Sequence, residues 1–276
     1  MKLPRVYVIN LDRSTDRLKD FRQSFESLGL DVVRVVAVDG KAITLPHPDY
    51  DERNYLLYHG GQTSMGVIGC YFSHIKALRQ FLETDEETAL ICEDDVSAKP
   101  ELPQVLHEIL QFKKHWDLLR MVCWNIPSHI PVRKLDNGSN LTVPICLTPP
   151  YWAMGAGAYL VNRKAAERII TSSIPMYLPY DHALDQNWRM GLTAMMVSPF
   201  PIAPNEHVSN STINQTDQII HGKRRGDKLP FFQRYLFSPI LPYRGFTTCQ
   251  RWRKQIGTAL WYLLFPPKRM DEDIAE

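Results

Sequence analysis

The residues best equipped for chemistry are three consecutive acids, Glu93-Asp94-Asp95, placed directly after the apolar run Ala89-Leu90-Ile91-Cys92. Adjacent carboxylates repel one another, so gathering three at the end of a buried strand calls for a compensating charge. Mn²⁺ or Mg²⁺ would supply it, since both are cations that accept oxygen ligands. In extended geometry Glu93 and Asp95 point to one side, which lets one meet a metal and the other a nearby ribose or water. A solvated acidic turn, or a cap for the helix starting near Glu101, accounts for the same three residues. The triplet by itself does not choose between these readings.

Three further groups carry reactive side chains. The stretch Gly66-Val67-Ile68-Gly69-Cys70-Tyr71-Phe72-Ser73-His74 sets Cys70, Ser73 and His74 on one helical face by their i, i+3, i+4 spacing. His74 there could hydrogen-bond a phosphate or an acceptor sugar, or serve only as a satisfied structural group. A Ser-His hydrolase would need a positioned nucleophile and an orienting acid, and no G-x-S-x-G elbow is present. Asn10-Leu11-Asp12-Arg13 and Arg17 fall where a first strand meets a first helix, and amides with an arginine at such a junction suit a nucleotide phosphate or base. The same residues also make ordinary caps. Asp181 and Asp185, one helical turn apart, are candidates for a general base, although acids near a helix start equally complement its dipole.

Strands alternating with helices must position these groups. The spacing predicts a strand over Val6 to Leu11, a helix burying Leu18, Phe21, Phe25 and Leu28 with Gly29 at its end, and a strand over Val32 to Val38. A polar loop is expected from Thr44 to Ser64, then a helix from Met65 to Glu83 and a strand over Ala89 to Cys92. Helical spacing returns in Leu102, Val105, Leu106, Ile109 and Leu110. Leu118 to Trp124 reads as a strand, residues 126 to 150 as loop or hairpin, and Tyr151 to Val161 as a strand of small residues. A helix over Lys164 to Ile170, a short one from Asp181 to Met190 and a strand over Thr193 to Val197 follow. This alternation is that of a layered α/β sheet, whose ligands sit at the carboxyl ends of the strands.

Charge divides the chain unevenly. Between Gly222 and Arg269 there are eleven Lys or Arg against Asp227 alone, so this segment carries +10 and, with a total of +2, the remainder carries −8. Within it, Arg251-Trp252-Arg253-Lys254 precedes Ile256, Leu260, Trp261, Leu263, Leu264 and Phe265. Cations mixed with aromatics suit docking on an anionic membrane surface, and a helix packed on the core with a charged outer face accounts for them equally. No nucleic-acid-binding motif is recognisable and the main body is acidic, so nucleic acid is not expected as a partner. Five cysteines without a CxxC pair, mostly in apolar runs, are expected as buried thiols of a reducing compartment. The apolar run Val6-Tyr7-Val8-Ile9 is too short for a secretory signal, and no stretch approaches the roughly 20 apolar residues of a membrane span. A cytoplasmic location is expected.

Six pieces of the chain stand in the order found in glycosyltransferase family 25, the bacterial lipopolysaccharide and lipooligosaccharide galactosyltransferase group, which the chain resembles. They are Val8-Ile9-Asn10-Leu11-Asp12-Arg13 with Asp16-Arg17, Ala37-Val38-Asp39-Gly40, Gly66-x-x-Gly69-Cys70-x-x-Ser73-His74, Glu93-Asp94-Asp95, Gly157-Ala158-Tyr159-Leu160-Val161 and Pro179-Tyr180-Asp181. Val67 is a departure, since the family usually places Glu there. The resemblance implies a GT-A-like fold, a Rossmann-like mixed sheet flanked by helices, assigned to residues 1–221; residues 222–276 match no piece of the family and are expected, from their composition, as a basic, aromatic C-terminal extension. It further implies an inverting, metal-dependent transfer of a hexose, most often galactose, from a UDP-sugar to a lipopolysaccharide or lipooligosaccharide core. Transfer of glucose, a non-catalytic nucleotide-sugar scaffold and a metal-dependent phosphoesterase are the alternatives. Carried over, Asn10, Leu11, Arg13, Arg17 and Asp39 line the nucleotide site, with Ser73 and His74 beside it. Glu93 and Asp95 meet ribose and metal, His207 is a candidate third metal ligand, and Asp181, with Asp185 as runner-up, faces the acceptor as base. A lipid-linked oligosaccharide acceptor places the enzyme at the inner face of the bacterial inner membrane.

Overall fold

The computed structural model describes residues 2–59, 63–124, 126–145, 155–210 and 240–268. Strand β1 (Arg5–Asn10) and strand β3 (Thr88–Glu93) are near-continuous apolar runs because helices cover both their faces. Alternate residues go to opposite cores: Val6, Val8, Leu90 and Cys92 to one, Tyr7, Ile9, Ala89 and Ile91 to the other. Helices α1 (Thr15–Glu26) and α4 (Leu102–Leu110) cover the first face through Phe21, Phe25, Val105, Leu106 and Ile109. Helices α3 (Met65–Leu82), α5 (Arg163–Ser173) and α6 (Tyr180–Leu184) cover the second through Ile68, Tyr71, Ile75, Leu78, Ile169 and Leu184.

The main sheet also contains β2 (Val32–Val36), β5 (Leu118–Arg120), β6 (Ser128–Lys134), β7 (Asn140–Ile145), β8 (Ala158–Asn162) and β9 (Ala194–Ser198). Its order is β2-β1-β3-β8-β5-β9-β7-β6. β1 runs parallel to β2 and β3, whereas β8 lies antiparallel between β3 and β5. The result is the Rossmann-like, GT-A-like mixed sheet expected. A separate pair, β4 (Val96–Ala98) with β10 (Ile202–Pro204), closes over the acidic turn. The register pairs Ile9 with Glu93 and Asn10 with Val36, so three carboxyl ends share one sheet edge.

Several local expectations change. The loop expected from Thr44 to Ser64 holds a helix α2 (Glu52–His59), started by Asp51 accepting from the Asn54 amide, with Tyr50 and Tyr55 buried. Eight residues are too few to display helical periodicity. The strand expected to reach Trp124 stops at Arg120, where its ladder to β9 ends. Residues 128–145 form the hairpin β6–β7, and β7 joins β9 to carry the sheet outward. β4 and β10 have three residues each and leave no sequence pattern. The expected helix over Asp181 to Met190 is helical only to Leu184, with turns beyond.

The last described element is helix α7 (Ile240–Leu264), lying against β6 and β7. Ala259 is fully buried there, and the Tyr262 hydroxyl donates to the His115 carbonyl at 2.8 Å. Its other side leaves Leu260, Trp261, Leu263, Leu264 and Phe265 exposed. No helix among the described residues is long and apolar enough to cross a membrane. Of the expected buried thiols, Cys92 and Cys123 are buried, Cys70 is half-buried and Cys249 is exposed; Cys146 lies outside the described residues.

Candidate active site

Asn10 ends β1 almost fully buried and organises the acidic turn. Its amide Nδ2 donates to Asp94 Oδ2 at 2.7 Å and to the Ser14 carbonyl at 2.9 Å. Its Oδ1 accepts from Arg34 Nε at 3.0 Å, and Arg34 reaches on to Asp12 at 2.6 Å. Asp94 also pairs with Arg17 at 3.0 Å. Burial raises the Asp94 carboxyl above its usual range, and Arg17 and Asn10 oppose the rise. The middle acid, without an assigned role in the sequence, is thus committed to holding the turn in place.

Its neighbours are differently placed. Asp95 is 7% exposed, and its Oδ1 is buried with no hydrogen-bond partner. Burial, then the Glu93 charge, pushes its pKa up to about 7, against the pull of Arg17, whose Nη2 lies 3.7 Å away. Leaving a buried carboxylate oxygen unpaired is costly, and a bound cation would remove the cost. The donor set of Asp95 with Glu93 therefore fits a hard divalent cation.

Glu93 donates its backbone amide to the Gly157 carbonyl at 2.8 Å, and its Oε1 stands 3.3 Å from His74 Nε2. His74 is fully buried, with Nδ1 3.1 Å from the Tyr159 hydroxyl, which is 2.7 Å from that of Tyr180. The imidazole stacks on the Tyr180 ring at 4.1 Å and 4°. Burial raises both phenols, so neither ionises near neutrality. With Nε2 donating to Glu93 and Nδ1 accepting from Tyr159, every member of the chain is satisfied. His74 thus orients Glu93 from behind. Burial, followed by the charges of Glu93, Asp181 and Asp95, pushes the Cys70 thiol well above its ordinary pKa.

The cleft in front is lined by Leu11, Arg13, Arg17, Asp39, Cys70 and Glu93, among others. Loop 37–41 forms its wall by close approach to α3. A Cβ on Gly69 would lie 2.7 Å from Val38 O, and one on Gly40 would lie 2.0 Å from Met65 O, so only glycine fits at either position. Ser73 Oγ fastens the same loop, accepting from the Val38 amide at 2.8 Å and donating to Gly69 O at 2.6 Å. Its hydroxyl is thereby occupied within the protein. Asp39 pairs with Arg13 and accepts from the Lys41 amide at 3.1 Å. The Lys41 amide, then Arg13, lowers its pKa despite slight burial.

The two base candidates part ways. Asp185 is buried and paired with Arg120 Nη2 at 2.7 Å. Arg120, itself 2% exposed, also donates to the carbonyls of Asp181 and Gly155. Asp181 is half-buried; its Oδ2 accepts from the Gly155 amide at 3.0 Å and its Oδ1 from the His182 amide at 2.9 Å. His207 comes near the acidic turn through its carbonyl, which accepts from Arg17 at 3.2 Å. Its ring turns away, with Nε2 2.8 Å from Asp20 on α1. Arg34 and Arg120 were not singled out from the sequence, and Tyr159 and Tyr180 stood in two of the six pieces without a role. The signal for Arg120 in the sequence is a lone charge inside the apolar run Leu118 to Trp124.

The family description Glycosyltransferase family 25 (LPS biosynthesis protein) matches residues 3–184. A glycosyltransferase 25 family member of Anopheles gambiae is 25% identical over 254 residues, covering 83% of this chain and 42% of its own length. Procollagen galactosyltransferase 1-A of Xenopus laevis is 26% identical over 198 residues, covering 67% and 31% respectively. Procollagen galactosyltransferase 2 of Homo sapiens is 25% identical over 198 residues, covering 67% and 30%. The chain thus spans less than half the length of these relatives. A match across the acidic turn, both glycine motifs and Asp181, within one sheet edge, means that the chain belongs to glycosyltransferase family 25.

Proposed function

We propose that this chain is an inverting, metal-dependent galactosyltransferase that takes its sugar from UDP-galactose. The observation that carries the reading is the buried, unpartnered Oδ1 of Asp95 beside Glu93, at the mouth of a cleft walled by Arg13, Arg17 and Asp39. Asp95 and Glu93 would hold Mn²⁺ or Mg²⁺, which supplies Lewis-acid neutralisation of the diphosphate leaving group. His207 joins them only if its ring leaves Asp20. Arg13 and Arg17 receive phosphate or base, Leu11 and Asp39 border the uridine, and Glu93, oriented by His74, meets the ribose. Asp181, held by two backbone amides, takes the proton of the attacking acceptor hydroxyl, which adds to the anomeric carbon from the face opposite the diphosphate. Such general-base assistance contributes about 10²–10⁴-fold. Asp185 supports it through Arg120.

Galactose is favoured over glucose because relatives are named galactosyltransferases. The acceptor proposed is a lipid-linked lipopolysaccharide or lipooligosaccharide core, in keeping with the family description, although the animal relatives are named for procollagen. UDP release would be followed with UDP-galactose and UDP-glucose, with and without acceptor and Mn²⁺. Release that needs no acceptor would favour a phosphoesterase, and donor binding without turnover a scaffold.

The proposed domain 222–276 docks this activity on an anionic membrane surface. In support, α7 exposes Trp261 and Leu264, with Phe265 exposed just past its end, and Arg253 and Lys254 are exposed and, with Trp261, border a groove of about 920 Å³. Apolar side chains with flanking cations match an anionic bilayer. Free thiols fit the cytoplasmic side.

A further inference from the structure

We propose that Cys70, His74 and Glu93 form a binding site for a thiophilic divalent cation such as Zn²⁺, separate in ligand type from the oxygen site at Asp95. One ligand atom from each lies within 4.8 Å of the others. The spacing is built into the fold. Cys70 and His74 are one turn apart on α3, and Glu93 is fixed at the end of β3 by its amide bond to Gly157.

The set combines a thiolate, an imidazole and a carboxylate, which suits Zn²⁺ or Co²⁺ rather than Mn²⁺ or Mg²⁺. His74 already has the outer partner that metal-bound histidines use, the Tyr159 hydroxyl 3.1 Å from Nδ1. Binding releases one proton: Cys70–SH becomes a metal thiolate, and His74 offers its Nε2 lone pair with the ring proton on Nδ1, donated to Tyr159. Tyr159 in turn donates to Tyr180, so no polar group is orphaned. The nearby charges of Asp95 and Asp181 add attraction for a cation. Cys70 borders the cleft, which leaves a fourth position open.

The consequence rests on the proposed function. A soft cation that takes Glu93 removes it from the ribose and from the oxygen site it shares with Asp95 and inhibits transfer, so one cleft would hold an activating hard-metal site and an inhibitory soft-metal site overlapping at Glu93.

Co²⁺ titration of the metal-free full chain tests the site without any activity. The expected result is one equivalent bound, with a near-ultraviolet thiolate-to-cobalt charge-transfer band and tetrahedral visible bands. These bands should vanish in Cys70→Ser, persist in Cys249→Ser and Asp95→Asn, and survive excess Mn²⁺. Tyr159→Phe should weaken Co²⁺ binding by about 10–100-fold. Absence of a thiolate band in the wild type, its loss in Cys249→Ser, or its displacement by Mn²⁺ overturns the proposal. Because Cys249→Ser alters an exposed residue, that arm stands even if Cys70→Ser does not fold. Zn²⁺ should also inhibit galactosyl transfer by the wild type at least about tenfold more potently than by Cys70→Ser, each normalised to its own uninhibited rate. Bands without any transfer activity would sink the galactosyltransferase reading and leave the site standing; transfer without bands does the reverse.

Discussion

The acidic edge of the sheet and helix α7 break the usual distribution of polarity in opposite directions. At the edge, Asn10, Asp94, Asp95, His74 and Arg120 are polar or charged yet almost fully buried. On α7 and just past its end, Leu260, Trp261, Leu264 and Phe265 are apolar yet more than half exposed. Most of the buried charges are answered at short range: Asp94 by Asn10 and Arg17, Asp185 by Arg120. Asp95 Oδ1 is not answered, and that gap is where the proposed cation would bind. The exposed apolar row has no covering element among the described residues, which is the corresponding gap on the outside. In the proposed function each gap is filled by a ligand, a divalent cation at the acidic edge and an anionic membrane surface on α7.

The comparison breaks most sharply through the base. Asp181→Asn should lower turnover by about 10²–10⁴-fold while UDP-galactose binding, read by thermal shift with Mn²⁺, is retained. Unchanged turnover would move the base elsewhere. Asp95→Ala should cost about 10²–10³-fold in transfer and weaken UDP binding in Mn²⁺; a fully active variant removes the metal from Asp95.

Stability sharpens the contrast between answered and unanswered charge. Arg120→Leu leaves the Asp185 carboxylate buried without this counter-ion, and urea unfolding should show a loss of about 3–5 kcal/mol. Asp95→Asn should do the opposite in the absence of metal. Its folded-state pKa of about 7 lies above the unfolded value of about 3.9, so the folded chain binds the extra proton. Stability in EDTA therefore declines as pH rises from about 4 through 7, and Asp95→Asn should flatten that decline in Tm. By the same linkage Mn²⁺ should raise Tm more at pH 8 than at pH 6.

The smallest effect on the fold belongs to α7. Leu264→Asp should leave stability within about 0.5 kcal/mol, because the side chain is 75% exposed, yet reduce co-sedimentation with anionic vesicles. Equal partitioning of Leu264→Asp and wild type would remove the membrane from this face.

Periodicity and end signals carried most of the fold. β1, α1, α3, β3, α4 and α5 stand close to where apolar spacing put them, since a run of four or more residues buried on a fixed face repeats in the sequence. Short elements escaped: three residues in β4 and eight in α2 cannot show a period. In the site, the acids at the end of β3 and the glycines of two motifs were visible as residue types. Why those glycines cannot be replaced was not visible, because Gly40 and Gly69 meet across 29 positions of chain and their constraint is a backbone contact.

By itself the sequence determined that a buried strand ends in three acids, that helices bring candidate ligands and bases to the same sheet edge, and that the charge of the tail opposes that of the body. These follow from local composition and spacing. Only the tertiary structure divided the work among Glu93, Asp94 and Asp95, and set Asp185 apart from Asp181. Those roles depend on partners 65 to 85 residues away, Arg120 for Asp185, Asn10 for Asp94, Tyr159 for His74. Whether a buried carboxylate is paired or left waiting for a cation is a property of its surroundings in space, and no spacing along the chain encodes it.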